Sequence, residues 1–289
     1  MDPPPHLYKW RLRRDIHLKG RYKMIIIGEK INSTNKAARA AIESFDTAFV
    51  QDMAKKQYDA GAAYIDLNAG MFVDDEPDKL EWLVNTVQEA VDAPLSIDSP
   101  NPVAIDRALK AVKANKPIIN SITDEKERFD SILPLILKYN TGIVALCMDD
   151  SGMPETADER LVIADRLIAS LTSKGVEISD IYIDPMVRPI GTGTHYGNVA
   201  LETIRRVRDE FPEVHITCGL SNISFGIPER KLMNQAFLIA AMTSGMDGAI
   251  LNPLDNKLMS FIYATEALLG QDEFCMNYLM KFREGLLEV

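Results

Sequence analysis

From Met24 onward the chain repeats one pattern: a short apolar run closes on a polar residue, and a dozen or more residues with helically spaced apolar positions follow. The runs are MIIIGE, AAYIDLN, PLSIDS, PIINS, GIVALCMD, DIYIDP, HITCGLSN and GAILNP. Their starts, near Met24, Ala63, Pro94, Pro117, Gly142, Ile181, His215 and Gly248, lie 23 to 39 residues apart, room for a strand, a short loop and a helix. Eight strands alternating with eight helices are expected. Asn101-Pro102 reads as an N-cap and a first helical residue, Pro228 as the opening of another helix, and Gly245 as a left-handed C-terminal cap. Strands rich in Val, Ile and Leu belong to a parallel sheet buried on both faces. Eight of them in ~250 residues predict a single (β/α)8 TIM barrel of the α/β class, preceded by a short N-terminal tail. An open doubly wound sheet is the alternative, and no GxGxxG follows the first strand to favour it.

Active sites of such barrels lie at the C-terminal ends of the strands, so the residue closing each run is the one to inspect. These residues are Glu29, Asn68, Asp98, Asn120, Asp149, Asp184, Asn222 and Asn252, all acids or amides. Taken singly, each has the ordinary reading of an N-cap or turn former. Their presence at every run end exceeds what capping requires. A ring with Asp98, Asn120 and Asp184 and few bases nearby suits a neutral, flat heterocycle rich in N–H donors, and does not suit phosphate. Carboxylates accept while amides both donate and accept, so together they pair with the amino, ring N–H and carbonyl groups of a 2-amino-4-oxo pyrimidine.

Bulk composition narrows the partners. A content of 46% hydrophobic and 26% charged residues is that of an ordinary globular domain, and the net charge of -10 repels a nucleic-acid backbone. The three cysteines, Cys147, Cys218 and Cys275, form no CxxC pattern, which points to a reducing, cytoplasmic setting without structural zinc. Cys147 and Cys218 read as small core residues. His195 and His215 lack the close partners a metal site needs, so no bound metal is expected. No apolar run approaches the ~20 residues that span a bilayer. Residues 1–23 are set apart from the domain at 24–289 by Pro3 to Pro5 and seven Lys or Arg, with no apolar stretch of a secretory signal. Gly191 to Gly197 lacks the Lys-Ser/Thr of a P-loop and reads as a mobile loop, or as a lid with His195 as a contact.

Six segments carry a resemblance: GEKIN (Gly28 to Asn32), DLN (Asp66 to Asn68), IDS (Ile97 to Ser99), INS (Ile119 to Ser121), YIDP (Tyr182 to Pro185) and GLSNIS (Gly219 to Ser224). In this order they resemble the pterin-binding methyltransferases, in particular the methyltetrahydrofolate:corrinoid protein methyltransferases. The folate module of cobalamin-dependent methionine synthase and dihydropteroate synthase are more distant likenesses. The resemblance implies that Asp98, Asn120 and Asp184 bind the pterin ring, with Glu29, Asn68 and Arg230 in the same set. It places Asn222 beside N5 as the catalytic residue. It further implies tetrahydrofolate or 5-methyltetrahydrofolate as substrate, a corrinoid (cobalamin) supplied by a partner protein, with its cobalt as Co(I) or methylated, and a homodimer.

The chain departs from the family pattern at Phe225, where a polar residue is expected, and at Asp149-Asp150, which replaces a more neutral pair. Asp15, His17 and Gly20 match DxHxxG, whose histidine ligates cobalt in corrinoid-binding domains, but no flavodoxin-like sequence follows. The corrinoid is therefore expected on another protein. In methyl transfer N5 must gain positive character as its bond to carbon breaks. Asn222 has the chemistry to strengthen a hydrogen bond in that transition state, although its amide does not titrate. Two other readings stand beside this one. A dihydropteroate synthase would need bases for pyrophosphate at the seventh and eighth strand ends, where Asn222 and Asn252 stand; the other is a non-catalytic pterin-binding subunit.

Overall fold

The computed structural model describes residues 23–113 and 115–288. The apolar runs become strands β1 Ile25–Asn32, β2 Tyr64–Asn68, β3 Leu95–Asp98, β4 Ile118–Asp124, β5 Gly142–Asp149, β6 Ile181–Asp184, β7 His215–Ile216 and β8 Gly248–Leu251. Between and after them lie helices α1 Lys36–Glu43, α2 Thr47–Asp59, α3 Glu76–Gln88, α4 Pro102–Ala111, α5 Lys126–Tyr139, α6 Ala157–Ser173, α7 Tyr196–Glu210, α8 Arg230–Ser244, α9 Asn256–Leu268 and α10 Met276–Arg283. All strand pairs are parallel, in the order β7-β6-β5-β4-β3-β2-β1-β8. The ends of that order meet: Ile250 N donates to Cys218 O at 2.9 Å and Asp247 N to Ile216 O at 3.3 Å, closing the expected barrel.

The period of two along each strand divides its residues between two cores. Ile65, Leu67, Leu95, Ile97, Ile119 and Ile143 face the helices and join the large outer core. Ile118, Val144 and Tyr182, with Ile25, Tyr64 and Leu146 against them, fill the barrel interior. His215 stacks on Tyr182 with ring centroids 4.7 Å apart, and its Nδ1 lies 2.9 Å from Asp247 Oδ2.

The helices depart from strict alternation. The described residues contain ten, because β1 is followed by two and α10 comes after the last repeat. Asn101 caps α4, its side chain accepting from Val103 N, and Gly245 ends α8 at φ 112, both as expected. Pro228 does not open a helix: Glu229, at φ 51, intervenes and α8 begins at Arg230. β1 continues past Glu29 to Asn32, with a register shift between Gly28 and Ile31.

Candidate active site

Strand register builds the first part of the site. Asn68 lies opposite Asp98, and Asp98 opposite Asn120, across β2, β3 and β4. Asn68 Nδ2 donates to Asp98 Oδ2 at 2.9 Å, while Asn68 Oδ1 accepts from Ser33 Oγ at 2.8 Å and Gly70 N at 3.1 Å. Asn68 thereby aims Asp98. Two residues deeper on β2, Asp66 is buried and accepts from Ser96 Oγ at 2.7 Å and from the Asn120 side chain. Burial pushes the Asp66 carboxyl well up, and the neighbouring Asp98 adds to it. Asp98 is itself pushed up to about 6, by burial first and by Glu76, against the Asn68 hydrogen bond and Arg128.

Asp184 closes β6 in register with Leu146 of β5. Its Oδ1 accepts from Met186 N at 2.7 Å, yet burial pushes its carboxyl up to about 7, against that bond and the charge of Arg160. Arg160, on α6, is fully buried and donates to Pro185 O at 2.8 Å. Cys147 and Cys218 are buried, and burial raises both thiols far above their ordinary range, which keeps them protonated. They are core residues, as their sequence context suggests.

Asn222 is not on a strand. The run HITCGLSN forms a regular strand only over His215–Ile216, with a single further parallel bridge from Gly219 to Ile250, and Asn222 stands on a 3-10 turn, Leu220–Ser224, with its side chain exposed. Among the described residues its amide has no hydrogen-bond partner in the protein. The amide lies against Gly219, where an added Cβ would sit 3.0 Å from Asn222 Nδ2. Arg230 holds the turn on either side of Asn222: Nε donates to Ser224 Oγ at 3.1 Å and an Nη to Ser221 O at 2.8 Å. The guanidinium also lies 5.9 Å from the ring of Phe225. Glu29, Ser221, Arg230, Asn234 and Asn252 line a cavity of about 260 Å³ beside the turn. Burial raises the Glu29 carboxyl, against Lys30 and Arg230.

The run ends do not all serve alike. Asp149 Oδ1 accepts from Ser151 N at 3.0 Å and its other oxygen pairs with Arg166; Asn252 Oδ1 accepts from Leu254 N at 3.1 Å. Both have the ordinary turn-forming role. The Gly191 to Gly197 stretch is anchored: a Cβ on Gly193 would sit 2.5 Å from the Tyr196 ring, and Tyr196 Oη donates to Glu155 Oε2 at 3.1 Å. His195 lies 4.0 Å from the same carboxylate.

Three groups escape a reading of run ends. Asp66 lies inside its run, although its two-residue spacing from Asn68 marks the same face. Arg128, in the first turn of α5, donates to Ser121 O at 3.0 Å and Ser99 O at 2.9 Å, tying the loop after β3 to the middle of β4. Arg160 likewise acts on backbone carbonyls, which no sequence motif marks. The Asp15 to Gly20 motif lies outside the described residues. Among the described residues no group of His, Cys, Asp and Glu is placed to hold a metal ion, and no helix is long and apolar enough to cross a membrane.

The structure is a closed parallel barrel that aligns carboxylates and amides of neighbouring strands in one row on its C-terminal side. The chain belongs to the pterin binding enzyme family, which matches residues 28–252. It is 40% identical over 266 residues to a methylcorrinoid:tetrahydrofolate methyltransferase of Eubacterium limosum, covering 91% of this chain and 97% of that protein. It is 31% identical over 242 residues to a methionine synthase of Mycobacterium tuberculosis, covering 79% of this chain but only 20% of that much longer protein. A Yersinia pestis DHPS solved with a pterine-sulfa conjugate shares the fold, with a TM-score of 0.66 at 15% identity over 86% of this chain and 94% of that one.

Proposed function

We propose that this protein moves a methyl group between a corrinoid carried by a separate partner protein and N5 of tetrahydrofolate, acting in the cytoplasm as a homodimer. The observation that carries the reading is the alignment of Asp98 and Asn120, with Asp184 across the mouth, in a chain similar over nearly its whole length to a methylcorrinoid:tetrahydrofolate methyltransferase. The direction in that relative's name, from corrinoid to folate, is the one proposed here.

Each residue has a task that follows from its surroundings. Asp98 and Asp184 are acceptors for the amino and ring N–H groups of the pterin. Because burial holds both partly protonated near neutrality, ligand binding draws off their protons and leaves charge-assisted hydrogen bonds. Asn68 and Arg128 position this floor. Asn222 meets N5: its amide oxygen accepts the N5–H that turns acidic as nitrogen takes up carbon, and in the reverse direction the same hydrogen bond holds the protonated N5 as it departs. That interaction is strongest where N5 carries positive charge, at the transition state, and there lowers the barrier. The proton leaves to solvent, to which Asn222 is open. The corrinoid, when docked, supplies or accepts the methyl group. Val73, Met153 and Phe225 stand exposed on the loops after β2, β5 and β7, an apolar rim for a second protein to cover.

Calorimetry with tetrahydrofolate and single-turnover transfer from a methylated corrinoid protein test the proposal. Binding with transfer is expected. Failure to bind any reduced folate overturns the site, whereas binding without transfer from any corrinoid protein identifies a non-catalytic pterin-binding subunit instead.

A further inference from the structure

Arg160 of α6 is the largest fully buried side chain among the described residues, and it carries a charge. Its hydrogen bonds all go to neutral carbonyls: Nη1 donates to Pro185 O at 2.8 Å, while Nε and Nη2 donate to Pro154 O at 3.4 and 3.3 Å. Among the described residues no carboxylate forms an ion pair with it. A guanidinium does not give up its proton, so burial without an opposite charge nearby is costly. The acid in its field is Asp184, and the two act on each other through space.

The same guanidinium grips the backbone that aims Asp184. Asp184 Oδ1 accepts from Met186 N at 2.7 Å, closing a turn over Pro185, and the Pro185 carbonyl is the one Arg160 holds. Met186 stands in the left-handed region at φ 60, where a residue with a side chain stays only if its surroundings fix it there. The bond to Pro185 O supplies that constraint, and the bonds to Pro154 O tie the loop after β5 to the same point. The other ionisable neighbours of Asp184 are Cys147 on β5 and Cys218 beyond β7, both thiols kept neutral by burial. Glu155 and Arg188 act on Arg160 with opposite signs and pair with each other. Of these groups only Arg160 brings a charge to Asp184.

We propose that Arg160 is a positioning residue for the ligand site: its buried cation is the counter-charge that lets Asp184 meet a ligand as a carboxylate, and its grip on Pro185 sets where that carboxylate points. The inference rests on the reading of Asp184 as a pterin acceptor, while the pairing of the two charges stands apart from the methyl-transfer chemistry. Burial works against the carboxylate and Arg160 works for it. Without the cation the acid keeps its proton, and a protonated acid presents a donor to a ligand edge made of donors. One arginine on a helix outside the barrel thus decides the charge at the barrel's mouth.

Carbon-13 NMR of the full chain labelled at aspartate, without ligand, reads the Asp184 carboxyl, assigned by its absence from Asp184→Asn. Arg160→Met and Arg160→Gln remove the charge; the first leaves an apolar chain, which a buried site accepts in place of an ion, and the second keeps a donor for one carbonyl. In both, the Asp184 midpoint is expected to rise from about 7 by about one pH unit or more. Arg160→Lys keeps the charge and is expected to stay near wild type. Tetrahydrofolate affinity of the two neutral variants is expected to fall about fivefold at pH ~7, as the carboxylate fraction does, and to recover by pH ~9. An unmoved midpoint in the neutral variants overturns the inference, as does a midpoint in Arg160→Lys as high as theirs. A loss of affinity equal at every pH overturns it too, leaving Arg160 a clamp on two loops. A wild type that binds no reduced folate strikes down the functional reading and the ligand role drawn here together; a folate-binding wild type with any of the other three results loses this inference alone.

Discussion

Asn68 reaches across the β2–β3 pair to donate to Asp98 Oδ2 at 2.9 Å, while its own carbonyl oxygen is held by Ser33 Oγ at 2.8 Å. The aim of the carboxylate proposed to bind the ligand is thus set from the neighbouring strand. Asn68→Ala removes the bond that opposes burial, so the Asp98 carboxyl rises further above about 6. Folate affinity at neutral pH is expected to fall about tenfold, the scale of one charge-assisted hydrogen bond. The pH at which affinity is half lost moves upward with it. Calorimetry across pH reads both, and unchanged curves would show that Asp98 needs no such support.

The raised carboxyls give the empty protein a pH dependence of known sign. Asp184 near 7 and Asp98 near 6 hold protons in the fold that the unfolded chain releases near 4. Their contribution to stability is therefore full below about 4 and is lost as pH rises through 6 and 7. Bound folate is expected to reverse the trend, because its N–H donors favour the charged forms. Thermal unfolding is expected to show a larger rise in Tm on adding tetrahydrofolate at pH ~8 than at pH ~5.5. An equal rise at both, or a larger one in acid, would mean the carboxylates are not the acceptors.

Asp184→Asn keeps the size of the side chain but replaces one acceptor oxygen with a donor that faces the pterin's own N–H groups. Affinity is expected to drop by roughly tenfold or more, a loss of 1.5 to 3 kcal/mol. A Kd equal to wild type by fluorescence or calorimetric titration would remove Asp184 from the site.

For Asn222→Ala the rate of methyl transfer at saturating folate is expected to fall roughly 100-fold, with a smaller change in affinity. Gly219→Ala should act in the same direction, because the new methyl would sit 3.0 Å from Asn222 Nδ2 and displace the amide. Single-turnover kinetics separate rate from binding. Wild-type transfer by Asn222→Ala would reduce that residue to a turn-forming amide.

Arg128→Met should weaken fold and site together, since its guanidinium joins the carbonyls of Ser99 and Ser121. A stability loss of roughly 2 to 3 kcal/mol in urea unfolding is expected, together with weaker folate binding from a loosened joint between the loop after Asp98 and the strand that carries Asn120. Full stability in the variant would show that backbone contacts alone hold that joint.

The strand pattern and the rim were legible in the sequence because both follow from a period of two ending at a loop. Asp98 and Asp184 each close a strand, whereas β4 runs on past Asn120 to Asp124; Asn68, Asp98 and Asn120 still lie in one row because their strands pair in register there. Asp66 was hidden by the same rule, since a charge inside an apolar run reads as part of the strand. Arg128 and Arg160 were illegible for another reason: their partners are carbonyl oxygens, present at every residue. At the seventh strand apolar continuity through Cys218 suggested pairing up to Asn222, but the chain leaves the sheet for a 3-10 turn. Glu229, in the left-handed region, displaces the helix start expected at Pro228. That conformation leaves no mark in a pattern of apolar spacing.

On the proposed reading, the isolation of Asn222 on its own short turn, apart from the bonded floor of Asn68, Asp98 and Asn120, lets recognition and chemistry vary separately in descent. A change in the turn would alter what happens above the ring without disturbing how the ring is held. One barrel can then keep its ligand while lineages exchange reactions, as fold and function so often part company.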